Sequence, residues 1–367
     1  MTRLPTIAMV TFILAPQLVR ADDDPGAAKH GAMLAAMSKK PCVPPAQVHV
    51  AKDTNNEYRL SLGVEASALV VCASRTTFGA PQDPFACWSV DPKTGALATR
   101  KPTLLAGTAY RVASACALGY CRPKQKPPAK AEDAPQDLLA ISTDGSKVAI
   151  ATGMNPDASS GMSLAIFDAK TKTFQREISL HDDKTGEGMG YEPADLVFVG
   201  DLVFVAGYAA GPAGDVWMFS ASKGKPVGGV GPKDNAVNIY GGGYGLVDAT
   251  HFRVSDGGYN EAIVDTTTAA VTMKSLPKPA ACSQDDWERS MERDTLDDSS
   301  IKVAKKCSKA LASAKAAFWK TSSAPSGFIR FDGKGFKLRH KKTAELLVLE
   351  ANATKPKALT FPVCNVK

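Results

Sequence analysis

The sequence predicts an all-β repeat fold, and three observations carry that prediction. Short apolar runs end again and again in turns of Asp, Thr, Lys and Gly; a second hairpin stands upstream of each such run; and the middle units repeat about every 45–50 residues.

The downstream hairpin is legible five times. FACWSVDPKTG at 85–95, LAIFDAKT at 164–171 and VWMFSASKG at 216–224 share an apolar run and a polar turn. AIVDTTT at 262–268 follows the same plan, and LLVLEANAT at 346–354 follows it more loosely. Asp, Thr and Gly favour such turns because short polar side chains bond to nearby backbone and Gly accepts a left-handed φ. The upstream hairpin is clearest in LLAISTDGSKVAI at 138–150, where Asp144-Gly145 joins two apolar strands. Leu196 to Val199 and Leu202 to Val205 flank Gly200-Asp201 in the same way, as do Phe328 to Phe331 and Phe336 to Leu338 around Asp332-Gly333-Lys334-Gly335.

Two hairpins make a four-stranded unit, and four strands per period describe a β-propeller blade. The expected architecture is a single β-propeller of five to seven four-stranded blades over residues 58–367. A β-sandwich or two stacked β domains is the rival arrangement. Five blades are legible, and Tyr110 to Cys121 is a candidate for a degenerate sixth. Residues 22–57 read as an N-terminal extension.

Ile141-Ser142-Thr143-Asp144-Gly145, followed by Val148-Ala149-Ile150 and later by Asp168-x-x-Thr171, resembles the bacterial YVTN-type and WD40-like propellers. Blades of those families carry Ser-Pro-Asp-Gly and Asp-x-x-Thr-Gly turns. The resemblance covers about two thirds of the chain beyond the leader and implies the fold. Thr143 stands where Pro is usual, and the blades lack a Trp-Asp ending.

Residues 1–21 read as a secretory signal peptide. Arg3 is followed by an apolar run from Ile7 to Ala15, and Val19-Arg20-Ala21 is a small-residue exit before Asp22. The run is too short to span a bilayer, which needs about 20 residues, and no later stretch is long and apolar enough. Loss of Arg3 and Arg20 with the leader takes the formal charge from +7 to +5. Lysines are scattered and not interleaved with aromatic residues, which argues against a nucleic-acid partner. The expected location is outside the cytoplasm, periplasmic or extracellular.

All eight cysteines follow the leader. In an exported chain an even number points to disulfides, whereas zinc needs closer pairs than Cys116 and Cys121 provide. Eight cysteines allow 105 connectivities. Strand adjacency favours Cys72 with Cys87, a small loop favours Cys116 with Cys121, and Cys282 with Cys307 would pin an insert. Cys42 with Cys364 would join the two ends of a closed ring.

That insert, residues 282–320, changes period. Val303, Cys307, Leu311, Ala314 and Phe318 line one side of a predicted helix, with Asp297, Asp298 and Ser299 at its start and lysines through its middle and end. A shorter acidic helix at 284–293 would turn Trp287 and Met291 inward. In a blade of strands A to D, the A–B and C–D turns share one face, and the B–C and D–A connections share the other. Every long connection here is of the second kind, and long loops on a rigid scaffold concentrate binding. The candidate binding residues are Trp287, Lys305, Lys306 and Lys309 on this lid, and Arg122, Lys124 and Lys126 in a Pro-rich connection. Their charge suits an acidic protein or an anionic envelope polymer.

Catalytic patterns are thin. There is no Gly-x-Ser-x-Gly elbow, His-Glu-x-x-His or Walker loop, and His30, His49, His181, His251 and His340 are isolated. The connection His181 to Glu187, with Glu192 beyond, is acidic but does not match an EF-hand. Tyr208, Tyr244 and Tyr259 stand by Gly-rich loops, where rings either stack on sugar or pack the loop. The expected function is a non-catalytic binding or scaffold propeller without cofactor or metal. The alternative is a lactonase-type hydrolase holding a divalent metal at the channel mouth.

Overall fold

The computed structural model describes residues 25–51, 54–76, 81–128, 137–152, 163–182, 187–188, 193–208, 214–230, 243–247, 250–255, 259–296, 299–322, 329–351, 353 and 355–365. Five small antiparallel sheets form a five-bladed propeller. Blade 1 comprises β1 (Gln47–Ala51), β2 (Thr54–Glu65), β3 (Ala68–Thr76), β4 (Ala86–Val90) and β5 (Leu97–Arg100). Blade 2 comprises β6 (Ala109–Val112), β7 (Asp137–Ile141), β8 (Lys147–Thr152), β9 (Ser163–Asp168) and β10 (Phe174–Ser179). A two-stranded ribbon, β11 (His181–Asp182) with β12 (Glu187–Gly188), leads to blade 3. That blade runs β13 (Pro193–Val199), β14 (Leu202–Tyr208), β15 (Gly214–Ser220) and β16 (Lys225–Gly229). Blade 4 is β17 (Gly243–Leu246), β18 (His251–Ser255), β19 (Asn260–Asp265) and β20 (Val271–Ser275). Blade 5 is β21 (Ile329–Phe331), β22 (Lys334–His340), β23 (Ala344–Leu349) and β24 (Lys357–Thr360). The signal-peptide segment lies outside the described residues.

Tyr110 to Cys121 is not a sixth blade. Residues 109–112 pair in register with β7 as a fifth strand of blade 2, and the chain after them packs Ala115 and Tyr120 against Phe167 and Leu139 of that sheet. The segment holds too little apolar sequence for four strands of its own. The first sheet also starts before Tyr58, with β1 paired to β2 from Thr54 onward.

The repeated turn has a common physical basis. The residue four positions after its start takes a left-handed φ in four blades, at Gly95, Lys172, Gly224 and Ala269. Each donates its N–H to the carbonyl four residues back, at 2.8–2.9 Å. Asp91, Asp168 and Asp265 open three of these turns and accept the N–H groups two and three residues on. Those bonds hold all three carboxyls below the ordinary carboxylate range. Blade 3 opens its turn with Ser220 instead, and Asp201 from the adjacent A–B turn supplies the acceptor. Asp201 takes the Ser220 hydroxyl at 2.6 Å and the Ser222 N–H at 2.7 Å.

Apolar clusters join neighbouring blades. Leu164, Ile166 and Ile178 of blade 2 meet Phe198, Val203 and Val205 of blade 3. Leu60, Leu69 and Trp88 of blade 1 meet Phe336, Leu346 and Val348 of blade 5, which closes the ring. Beside that junction Val43 and Val363 form a parallel bridge, Cys42 is bonded to Cys364, and the N–H of Cys364 donates to the Val43 carbonyl at 2.9 Å.

α1 (Pro25–Lys39) leans on β1 and β2 within the stretch read as an extension. Pro25 suits the first helical position because the missing N–H is unpaired there in any case. Met33 is buried against Val48 and Tyr58, and His30 lies 3.2 Å from the Tyr58 hydroxyl. At the far side of the closure, His340 Nε2 lies 2.9 Å from the Pro44 carbonyl oxygen. Burial, helped at His30 by the Arg75 charge, holds both imidazoles below their ordinary value of 6.5; at His340 the bond to Pro44 opposes this but does not prevail. The unfolded chain therefore takes up these protons at a higher pH than the folded one does. Their neutral burial carries no penalty above pH 6.5, and stability declines as pH falls through that value toward the folded values. The expected result is a falling melting temperature between pH 7 and pH 5, flattened in His340→Gln. A melting temperature constant across that window would refute it.

Candidate functional site

The insert folds as α2 (Gln284–Leu296) and α3 (Lys305–Ser322), joined by the Cys282–Cys307 disulfide. They dock at the end of blade 4 where β19 begins and β20 ends, which is the face of the B–C and D–A connections. Leu311 and Phe318 are buried against Tyr259 and Leu276. Trp287 is half-buried, edge-on to Tyr259 with centroids 5.1 Å apart, and Ser290 accepts the Tyr259 hydroxyl at 3.1 Å. Trp287 is thus turned toward the protein.

α3 begins at Lys305, later than Asp297 to Ser299 suggested. The Ala304 N–H donates to the Asp286 carboxylate at 3.0 Å. Asp286 of α2 therefore supplies the negative charge that this N-terminus lacks in its own first turn. Lys305 and Lys306 lie in that first turn and not at the favourable end. Lys305, Lys306 and Lys309 are all exposed.

The second basic segment belongs to blade 2. Arg122 donates to the Ser163 hydroxyl at 3.1 Å and lies 3.5 Å from Glu177, so its guanidinium is engaged within its own blade. Lys124 and Lys126 are exposed. All eight cysteines are bonded as Cys42–Cys364, Cys72–Cys87, Cys116–Cys121 and Cys282–Cys307.

The inner strands of the propeller carry a set of charges that no sequence pattern singled out. A cavity of about 280 Å³ is lined by Arg59 and Ser61 of β2, Thr108 ahead of β6, Asp195 of β13 and Lys337 of β22. Arg59 lies midway along β2, Arg111 within β6 and Asp195 near the start of β13. Asp195 accepts the Tyr244 hydroxyl at 2.9 Å and the Leu196 N–H at 2.8 Å, and Arg59 and Arg111 lie within electrostatic reach. Burial pushes its carboxyl above the ordinary range against the pull of both arginines. Burial and the nearby Arg253 hold the Lys337 ammonium below the usual lysine range. Arg253 lies 3.4 Å from the buried Glu261. Of these charged groups, Arg59, Lys337 and Asp195 line the cavity.

Other sequence candidates do not join this set. Residues 183–186 and Glu192 of the acidic connection lie outside the described residues, as does the side chain of Tyr208. His49 is beside Asn55 and His251 beside Thr250, away from His30 and His340. Among the described residues, no three His, Cys, Asp or Glu side chains stand close enough to hold a metal ion. None of the described helices is long and apolar enough to cross a membrane.

These features define a disulfide-bonded β-propeller with a helical lid on its loop face. No family model matches the chain, and no curated protein does. Among solved structures it is similar to TolB from Acinetobacter baumannii at 10% identity, covering 84% of this chain and 65% of that one, with a TM-score of 0.31. It is also similar to the Dos1 propeller at 12% identity, covering 87% of this chain and 74% of that one, with a TM-score of 0.32. At that level the likenesses say nothing of function, and the fold rests on the sheets themselves.

Proposed function

We propose that this chain is an exported, non-catalytic binding propeller whose lid-bearing face takes an acidic protein partner. One observation carries the reading. The lid is fastened by a disulfide and an apolar cluster, while Lys305, Lys306 and Lys309 are left exposed on its outer side. A rigid mount with an exposed basic edge suits recognition by charge complementarity. Four disulfides support export, because such bonds persist in oxidising compartments. Among the described residues Asp195 is the carboxylate that lines the cavity, and it stands there with Arg59 and Lys337, a set that suits an anion better than a divalent metal.

Cross-linked capture from the envelope fraction tests the proposal. The chain is compared with a form carrying Lys305→Glu, Lys306→Glu and Lys309→Glu, and with one lacking 283–322 and carrying Cys282→Ser. The expected result is one partner captured by the parent and lost from both variants. Charge reversal of exposed residues leaves the fold intact, so its arm stands even where the deletion bares Tyr259 and Leu276. Capture that survives charge reversal would overturn the proposal. Release of an acidic polysaccharide in place of a protein would reassign the partner.

A further inference from the structure

The four disulfides differ in how far a thiol can reach them. Seven of the eight cysteines are 7% exposed or less, and Cys121 alone is partly exposed. Met33 of α1 packs with Cys42 and Cys364. Val70 and Leu105 enclose Cys72 and Cys87, where the Thr103 N–H donates to the Cys87 sulfur at 3.4 Å. Cys282 and Cys307 are 5% and 0% exposed. The Cys116–Cys121 bond also spans 5 positions, against 15, 25 and 322 for the others, so it restricts the unfolded chain least. Its segment has other supports. The Tyr120 and Leu118 N–H groups donate to the Ala115 carbonyl at 3.0 and 3.1 Å. The Ala115 N–H donates to Asp137 at 2.7 Å, and the Tyr120 ring stands edge-on to Phe167.

We propose that Cys116–Cys121 is a thiol-exchange site, a reversible disulfide that accepts two electrons from an external dithiol while the propeller stays folded. One thiolate of the dithiol attacks the Cys121 sulfur, the S–S bond breaks, and Cys116 leaves as a thiolate that takes a proton from water. The second thiol of the reagent loses its proton and attacks the mixed disulfide at the reagent's own sulfur. Cys121 then leaves as a thiolate, and the dithiol departs oxidised, as a disulfide. The rate of such exchange follows access and the ease with which the departing sulfur carries negative charge. Basic groups surround this loop. Lys172 Nζ donates to the Leu118 carbonyl at 2.6 Å, inside the loop, and Arg122 directly follows Cys121. Electropositive, partly exposed surroundings favour the thiolate form of cysteine. The neighbouring carboxylates are engaged elsewhere. Asp137 holds the Ala115 N–H, Asp168 holds the N–H groups of its own turn, and Glu177 holds the Ser163 hydroxyl at 2.5 Å with Arg122 at 3.5 Å. After reduction, the bonds to the Ala115 carbonyl keep both thiols on one tight turn, so the disulfide can re-form. Opening loosens the start of the connection that bears Lys124 and Lys126, while Arg122 stays tied to Ser163.

Timed alkylation tests the site. The native chain is held in graded dithiothreitol and quenched with iodoacetamide. Each cysteine is then read by peptide mass spectrometry, with circular dichroism recorded alongside. The expected result is labelling of Cys116 and Cys121 about tenfold faster than any other cysteine, with the sheet signal unchanged. Replacing the dithiol by oxidised glutathione should re-form the bond without an unfolding step. Lys172→Met and Arg122→Gln should each slow the opening about threefold, because the departing sulfur loses a neighbouring cation, and should leave the labelling of Cys282 and Cys307 unchanged. A chain carrying Cys116→Ser and Cys121→Ser should fold and lack the fast phase, which assigns that phase to this bond. Labelling of all eight cysteines together, or only in step with loss of the sheet signal, would overturn the proposal. So would two thiols that fail to re-pair while the fold persists. Charge reversal of the lid lysines is expected to leave the exchange intact, so this site and the lid proposal stand or fall separately.

Discussion

Replacing Cys42 and Cys364 by serine is expected to lower the unfolding free energy by about 2–5 kcal/mol, the largest loss from any of the four disulfides. The bond spans 322 positions. A cross-link restricts the unfolded chain by an entropy that grows with the logarithm of the loop it closes, and a loop of that size corresponds to about 6 kcal/mol as an upper bound. The Cys116–Cys121 bond spans 5 positions, and the same relation gives about 2 kcal/mol. Paired serine variants of each bond, unfolded in urea under identical conditions, provide the comparison. The ring is also closed by the Val43–Val363 bridge and by the blade 1 to blade 5 cluster, so the variant should fold. Equal losses from the two variants would refute the ring-closing role.

Much of this architecture is legible in the sequence because its turns are chemical. Asp91, Asp168 and Asp265 mark their hairpins by accepting local N–H groups, a signal confined to five residues. Disulfide partners are legible for a related reason: Cys72 and Cys87 fall opposite each other on adjacent strands once those strands are aligned. α1 is not legible in the same way. Its Ala-rich sequence has good helix formers, yet only Gly26 and Met33 are buried, so it lacks a periodic apolar face. The start of α3 was misplaced because Asp286, which serves its N-terminus, comes from another helix.

The channel mouth is the least legible part. Arg59, Asp195, Arg253 and Lys337 are single charges within separate strands of four blades, and only ring closure assembles them. Arg59 gave no signal, because it occupies an exposed position in a regular alternation between buried Tyr58 and buried Leu60. Loop lengths mark the face that carries the lid, whereas the residues along the inner strands leave no trace in loop length.

Phe252→Ala is expected to cost about 3–5 kcal/mol, comparable with loss of the ring-closing bond. Phe252 is fully buried and stacks on Phe204 of blade 3, with ring centroids 3.9 Å apart. Around the pair lie Val199, Leu202 and Met218 of blade 3 and Val254, Ala262 and Val264 of blade 4. Truncation would leave a cavity that sheets fixed by their own hydrogen bonds cannot readily fill, which puts the cost near the upper part of the range. Phe252→Leu keeps most of the volume and should cost roughly 1–2 kcal/mol. A double-mutant cycle with Phe204→Ala isolates the ring pair, whose coupling should be about 0.5–1.5 kcal/mol. The same substitution connects packing to the channel. Tyr244 lies 6.4 Å from the Phe252 ring and donates to Asp195, so the aromatic stack helps fix the carboxylate among the arginines. Urea midpoints measure these costs. A cost below about 1 kcal/mol for Phe252→Ala would show that blade 4 is held by its neighbours without this stack.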